Sequence, residues 1–185
     1  MKQLEYVDEL LKELSESLHS IDDHRAEALA DEIMSAKSIF ITGSGRSGLG
    51  ARGFAMRLMH MGFSVYVAGE TVTPALHAGD LLIVCSGSGE TAGSLVIARK
   101  ARQLGGKVAL VTITGGSTIG GLADLELFIQ APTPKLDKQL SLSIQPMASL
   151  FEQCVLLALD MVVLKLMKRK KISSAEMMKN HVNLE

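Results

Sequence analysis

Two glycine- and serine-rich turns carry the chemistry that this sequence offers. ITGSGRSG at Ile41–Gly48 and CSGSGETAG at Cys85–Gly93 each follow an apolar run and precede a helical stretch, and a looser version, VTITGGSTIG, spans Val111–Gly120. Glycine lets a backbone turn tightly and approach a ligand closely, and the start of the next helix offers unpaired N–H groups and a positive dipole end to an anion. Ser44, Ser47, Ser86, Ser88 and Thr91 add hydroxyl donors suited to the outer oxygens of a phosphate ester. One such loop alone would read as ordinary turn and cap chemistry. Two matching copies favour a phosphate site, with Gly45, Arg46 and Ser47 of the first loop among its candidate residues.

A dinucleotide reading competes for the first loop. Gly43, Gly45 and Gly48 match G-x-G-x-x-G, and Glu70 follows at about the distance of a ribose carboxylate. Such a protein uses one loop of this kind and calls for a further substrate domain, for which 185 residues leave no room. The hydroxyl-rich second loop would have no task in that arrangement, so a phosphate ester is the preferred ligand.

Glu152 is the residue that could move a proton. It lies between Phe151 and the apolar run Val155–Leu159, on a helix whose first turn Pro146 should mark, which puts it about two turns in. In apolar company its pKa is expected to rise towards the range of a general base. The alternative is a solvent-facing position on a polar stripe with Gln145, Ser149 and Gln153. Five histidines are too scattered for a metal site. His19 and His24 read as surface helix residues, and His60 ends a helix where the dipole favours an imidazolium. His181, in the ending HVNLE, either frays or reaches into a site on its own or a neighbouring subunit.

These residues need a scaffold, and the rest of the chain supplies it. Apolar runs alternate with helical stretches from residue 38 onward, the pattern of βαβ units and a parallel sheet. Strands are expected at Ser38–Thr42, Ser64–Ala68, Leu81–Ser86, Lys107–Ile113 and Leu125–Gln130, with helices near Ser47–Met61, Thr91–Leu104, Ser117–Leu122 and Pro146–Lys168. The fold class is therefore α/β, a doubly wound five-stranded parallel sheet in three layers, taken as one domain over residues 1–185. Met1–Ala36 forms a helical arm, with Leu4, Val7, Leu11, Leu14 and Leu18 on one stripe and Asp22 or Asp23 capping a second helix. That arm holds three basic and ten acidic residues and would repel phosphates. Ala131–Ser143, with Pro132 and Pro134, reads as a loop.

Composition narrows the partners. Nineteen basic against 20 acidic residues leave a net charge of −1, which offers nucleic acid or an anionic membrane no attraction. Cys85 and Cys154 show neither disulfide nor zinc spacing and read as reduced and buried. No signal segment or spanning helix is legible, so a cytoplasmic protein is expected. The run Lys168–Lys171 reads as a solvated helix end, complementing the dipole. The last long helix is apolar almost all round, which calls for another chain against it.

With GSGRSG and SGSGET at the ends of alternate strands, the chain resembles the sugar isomerase (SIS) domain family, which binds phosphosugars on a five-stranded parallel sheet. FAMRLMHMGF at Phe54–Phe63, CSGSGET at Cys85–Thr91, IQPMASLFEQ at Ile144–Gln153 and the ending HVNLE are similar to the 6-phospho-3-hexuloisomerases of that family. The resemblance implies interconversion of D-arabino-hex-3-ulose 6-phosphate and fructose 6-phosphate in the ribulose monophosphate route of formaldehyde fixation, without metal or organic cofactor. It implies that Ser47 and the loop Ser86, Gly87, Ser88, Gly89, Glu90 and Thr91 contact the phosphosugar, that Glu152 transfers the proton, that His181 is a second catalytic candidate, and that the protein is a tetramer. An aldose–ketose isomerase acting on arabinose 5-phosphate and a non-catalytic phosphosugar sensor are the alternatives. The sensor would need a DNA-binding domain, for which the acidic arm is a poor candidate.

Overall fold

The computed structural model describes residues 4–132 and 143–184. Strands β1 (Ile39–Gly43), β2 (Val65–Val67), β3 (Leu81–Cys85), β4 (Lys107–Thr112) and β5 (Leu125–Phe128) form one sheet in the order β2-β1-β3-β4-β5, all pairs parallel. The helices are α1 (Val7–His19), α2 (Asp23–Ser35), α3 (Gly45–His60), α4 (Ala92–Gln103), α5 (Ser149–Lys170) and α6 (Ser174–Met177). A parallel sheet covered on both faces requires strands that are apolar at successive positions. β3, LLIVC, is buried at every residue. Ile39, Ile41, Leu81, Ile83 and Cys85 enter the larger core with α2, α3 and α5, whereas Phe40, Leu82 and Val84 enter the smaller core with α4.

The acidic arm finds its countercharges on α5. Lys165 Nζ lies 2.6 Å from Asp23 and 2.7 Å from Glu27, and Arg169 pairs with Asp31 and Glu27. Part of the basic run is thus engaged with α2 rather than solvated, and Lys170 stands over the Phe63 ring. Asp22 caps α2 by accepting from the His24 N–H.

Four expectations need correction. The apolar stripe of the first helix is buried only in part: Leu14 and Leu18 pack on the core, while Leu4 and Leu11 are exposed. Ser117–Leu122 forms no α-helix; its glycines leave only a three-residue 3₁₀ turn, Gly120–Leu122. The last long helix starts at Ser149 instead of Pro146, because Met147 adopts a left-handed φ of 54° that no helix continues through. Glu152 therefore stands in the first turn of α5 and not two turns in. Of the Ala131–Ser143 segment, residues 133–142 lie outside the described residues. Among the described residues no helix is long and apolar enough to cross a membrane.

Candidate active site

β1 and β3 are neighbours in the sheet, with Gly43 opposite Cys85 at their carboxyl ends. The chain leaves β1 through α3 on one face and leaves β3 through α4 on the other. The strand order reverses between them, which opens a crevice where ligands of such sheets bind. Both Gly/Ser loops close on this crevice.

The first loop is shaped by close approach. Gly45 has a φ of +55°, and a Cβ on Gly48 would lie 2.5 Å from the Gly43 carbonyl oxygen, so α3 can start here only with glycine at these turns. Ser44 precedes α3 without using its hydroxyl as a cap, and no acidic residue stands in the first turn. The second loop repeats the device. Thr91 leads into α4 without a side-chain cap, again with no acid in the first turn, and its hydroxyl lies 2.9 Å from that of buried Ser86. Two helix N-termini with unneutralised dipoles thus face one space.

The crevice encloses about 480 Å³. Ser44, Gly45 and Ser47 line it from the first loop, Cys85 to Ser88 and Thr91 from the second, and Met147, Ala148, Phe151 and Glu152 from the start of α5, with Ile113 below. Phe151 packs against the second loop so closely that a Cβ on Gly87 would sit 3.2 Å from its ring. Glu152 is neither adrift in solvent nor walled in by apolar groups alone. Its Oε2 accepts a hydrogen bond from Arg46 Nε at 2.6 Å, and its side chain is 19% exposed. Among the described residues the only acidic group lining the crevice is therefore ion-paired to the first loop.

Of the residues singled out by sequence, Gly45, Ser47, Ser86, Gly87, Ser88, Thr91 and Glu152 are brought together, and Arg46 joins them through Glu152. Gly89 and Glu90 do not line the crevice. The Gly89 carbonyl accepts from the Ile119 N–H, and the Glu90 carboxylate accepts from the Thr118 N–H at 2.6 Å, a bond that holds its pKa below the usual carboxylate range. His181 is elsewhere, its ring stacked on that of His60 with centroids 5.3 Å apart. His60 closes the 16-residue α3, about 24 Å from the loop that opens it. Burial lowers the His60 pKa, with Arg57 and His181 adding to it, so the imidazolium expected at this helix end is disfavoured.

Sequence reasoning passed over Met147, Ala148, Phe151, Cys85 and Ile113 as pocket walls. Only the proximity of Phe151 to Glu152 and of Cys85 to Ser86 pointed to them. Burial pushes the Cys85 thiol up to about 12, so it contributes shape rather than a nucleophile. Glu70, which a dinucleotide ligand would need, is ion-paired with Arg52 and stands outside the crevice. Among the described residues no group of three or more His, Cys, Asp or Glu is arranged to hold a metal ion.

Residues 32–159 match the SIS domain family. The chain is 51% identical to the 3-hexulose-6-phosphate isomerase of Bacillus subtilis over 187 aligned positions, covering 100% of both proteins. It is 39% identical to the 3-hexulose-6-phosphate isomerase of Mycobacterium gastri, over 94% of this chain and 86% of that one. A crystal structure from Methanococcus jannaschii, for which a molecular function of 3-hexulose-6-phosphate isomerase was inferred, superposes with a TM-score of 0.83 at 36% identity, covering 98% of this chain and 100% of that one. A likeness that runs the length of the chain, on a sheet whose crevice has the geometry described, supports one conclusion: the chain belongs to the SIS domain family.

Proposed function

We infer that this protein is a 3-hexulose-6-phosphate isomerase, interconverting D-arabino-hex-3-ulose 6-phosphate and fructose 6-phosphate, the step that follows formaldehyde capture in the ribulose monophosphate route. The observation that carries the reading is Glu152, a carboxylate in the same crevice as two anion-seeking Gly/Ser loops. Likeness to the Bacillus and Mycobacterium enzymes selects the sugar. Such a metabolite places the enzyme's work in the cytoplasm.

Moving a ketone from carbon 3 to carbon 2 requires a base to take the proton on carbon 2, leaving an enediolate, and a proton to return to carbon 3 while the hydroxyl proton passes from O2 to O3. One carboxylate on the right face does both, and we assign that role to Glu152. The N–H groups at the starts of α3 and α4, with the hydroxyls of Ser47, Ser86, Ser88 and Thr91, take the phosphate. Arg46, bonded to the proposed base, meets the charge of the enediolate. The 3-ketose cannot close a five-membered ring, because O6 carries the phosphate. Fructose 6-phosphate does cyclise, and its ring opening calls for an acid.

His181 is our candidate for that acid, and it can act only on a second copy's crevice, since its own lies at the other end of α3. Exposed Leu49 and Met56 on α3 and Leu156, Met161 and Leu164 on α5 form the apolar face over which such a copy would pack. Two copies packed there antiparallel would bring the His181 end of each towards the Glu152 end of the other. We take the working form to be a homo-oligomer, a tetramer by family resemblance.

The test is proton exchange in deuterium oxide with fructose 6-phosphate, followed by NMR for wild type and Glu152→Gln. Exchange at carbon 3 with appearance of the 3-ketose, lost at least about a hundredfold in the variant, is expected. Exchange at carbon 1 would indicate an aldose–ketose isomerase, and saturable binding without exchange a sensor.

A further inference from the structure

The third Gly/Ser loop looks in sequence like a further copy of the ligand loops, yet of Thr112–Gly120 only Ile113 reaches the crevice. Its donors go to the second loop instead. The Ile113 N–H and the Thr112 hydroxyl both donate to the Gly87 carbonyl at 3.0 Å, and the Ile119 N–H donates to the Gly89 carbonyl at 3.1 Å. The Thr118 N–H completes the set on Glu90 Oε1 at 2.6 Å. Each of these four bonds runs from the third loop as donor to the second as acceptor, and the Ser86 N–H returns one to the Val111 carbonyl where the two strands end. With the carbonyls of Gly87 and Gly89 held outward, the N–H groups of Gly87 and Ser88 have no partner among the described residues, in a segment that lines the crevice. Successive free N–H groups at a turn are the donors from which an anion nest is built. Contact is tight as well: Gly89 has a φ of +61°, and a Cβ there would overlap the Ser117 hydroxyl.

Charge gives the same answer for Glu90. A carboxylate turned into a phosphate-binding nest would repel the ligand, whereas turned outward onto Thr118 it spends its charge on a backbone donor. We propose that the third loop is a brace rather than a ligand loop, and that Glu90 is the positioning residue that latches it to the phosphosugar loop. The proposal rests on the phosphosugar reading above and deepens it by separating residues that meet the ligand from those that hold the loop in shape for it.

The experiment compares wild type, Glu90→Ala and Glu90→Gln in three measurements: kcat and KM with fructose 6-phosphate, the Kd of inorganic phosphate by NMR titration, and amide hydrogen exchange across residues 86–91. Loss of the latch in Glu90→Ala should raise KM and the phosphate Kd about fivefold each, the size suited to an exposed charged hydrogen bond, with kcat within about twofold. Exchange at Gly89, whose N–H donates to the Ser86 carbonyl, should quicken while the interior of α4 is unchanged. Glutamine keeps an acceptor oxygen and should return all three readouts to within about twofold of wild type. A kcat loss of about a hundredfold that glutamine does not rescue, with exchange unchanged, would put Glu90 on the reacting atoms and overturn the proposal. Unchanged KM, Kd and exchange would overturn it equally. If wild type fails to turn over fructose 6-phosphate while phosphate binding and exchange respond as described, the brace stands and the assigned reaction falls.

Discussion

Replacing Gly48 with alanine tests how the first loop is built, because two effects of known size oppose each other there. Gly48 lies within the first turn of α3, where helix propensity alone makes alanine better by about 1 kcal/mol. The added Cβ, however, would sit 2.5 Å from the Gly43 oxygen and 2.9 Å from its carbonyl carbon. Both are backbone atoms of β1, held in register with Cys85 of β3, and neither can rotate away. Separating them to van der Waals contact means shifting the helix start, an overpacking strain at the upper end of about 1–3 kcal/mol. The net expectation is a loss of about 2 kcal/mol, which for a chain of 185 residues lowers the melting temperature by about 4–8 °C. Gly93→Ala is the internal control. That glycine is also in a first helical turn, of α4, but its Cβ would meet nothing within 4 Å, so alanine there should be neutral or stabilising by up to about 1 kcal/mol. Calorimetric melts of the three proteins give the answer. If Gly48→Ala melts at or above wild type, the close approach of β1 and α3 is not what requires glycine, and the construction of the first loop argued above is wrong.

Other outcomes follow from the same geometry. Glu152→Gln should lose at least about a hundredfold in turnover with little change in KM, and a near-normal rate would remove Glu152 from the reaction. The Glu27 carboxyl is held below its ordinary 4.5 by hydrogen bonds from Lys165 and then Arg169, and Glu176 by the Ser173 N–H and hydroxyl. A depressed folded pKa contributes stability that is full above the unfolded value and disappears as pH falls through the folded one, so the urea midpoint should hold from pH 7 to about 5 and decline below about 4.5; a midpoint unchanged between about pH 5 and 3 would contradict these pairings. Burial pushes Cys85 up to about 12 and Cys154 to about 11, so a thiol reagent at about pH 8 should label neither until the protein unfolds, and rapid labelling of native protein would show that the crevice floor is open. Leu164→Glu places a charge on a residue 65% exposed on the apolar face of α5 and should reduce the mass measured by light scattering; an unchanged mass would move the contact between copies to another face.

All five strands are legible in the sequence to within one or two residues because a doubly covered parallel sheet leaves an unmistakable trace: LLIVC in β3 and VALV in β4 are apolar at successive positions and lead into Gly/Ser turns. The two ligand loops are legible for a similar reason, since a backbone that must turn at Gly45 and nearly touch itself at Gly48 admits no other residue. Local pattern stops there. The carboxylate of Glu152 meets a guanidinium 106 residues away, and no spacing within α5 announces that contact. Pro146 suggested an earlier helix start, which the left-handed turn at Met147 overrides. The third loop exposes the limit most sharply, because Gly/Ser composition says that N–H groups are free to be used and nothing about whether a phosphate or a neighbouring carbonyl receives them. For Glu90 the sign of its charge was the available clue. The reading of SGSGET that placed Glu90 among the binding residues passed over that clue: a carboxylate facing a bound phosphate would repel it, and the fold gives this acid a donor outside the crevice instead. The Thr118 N–H, brought in by the neighbouring strand β4, is that donor.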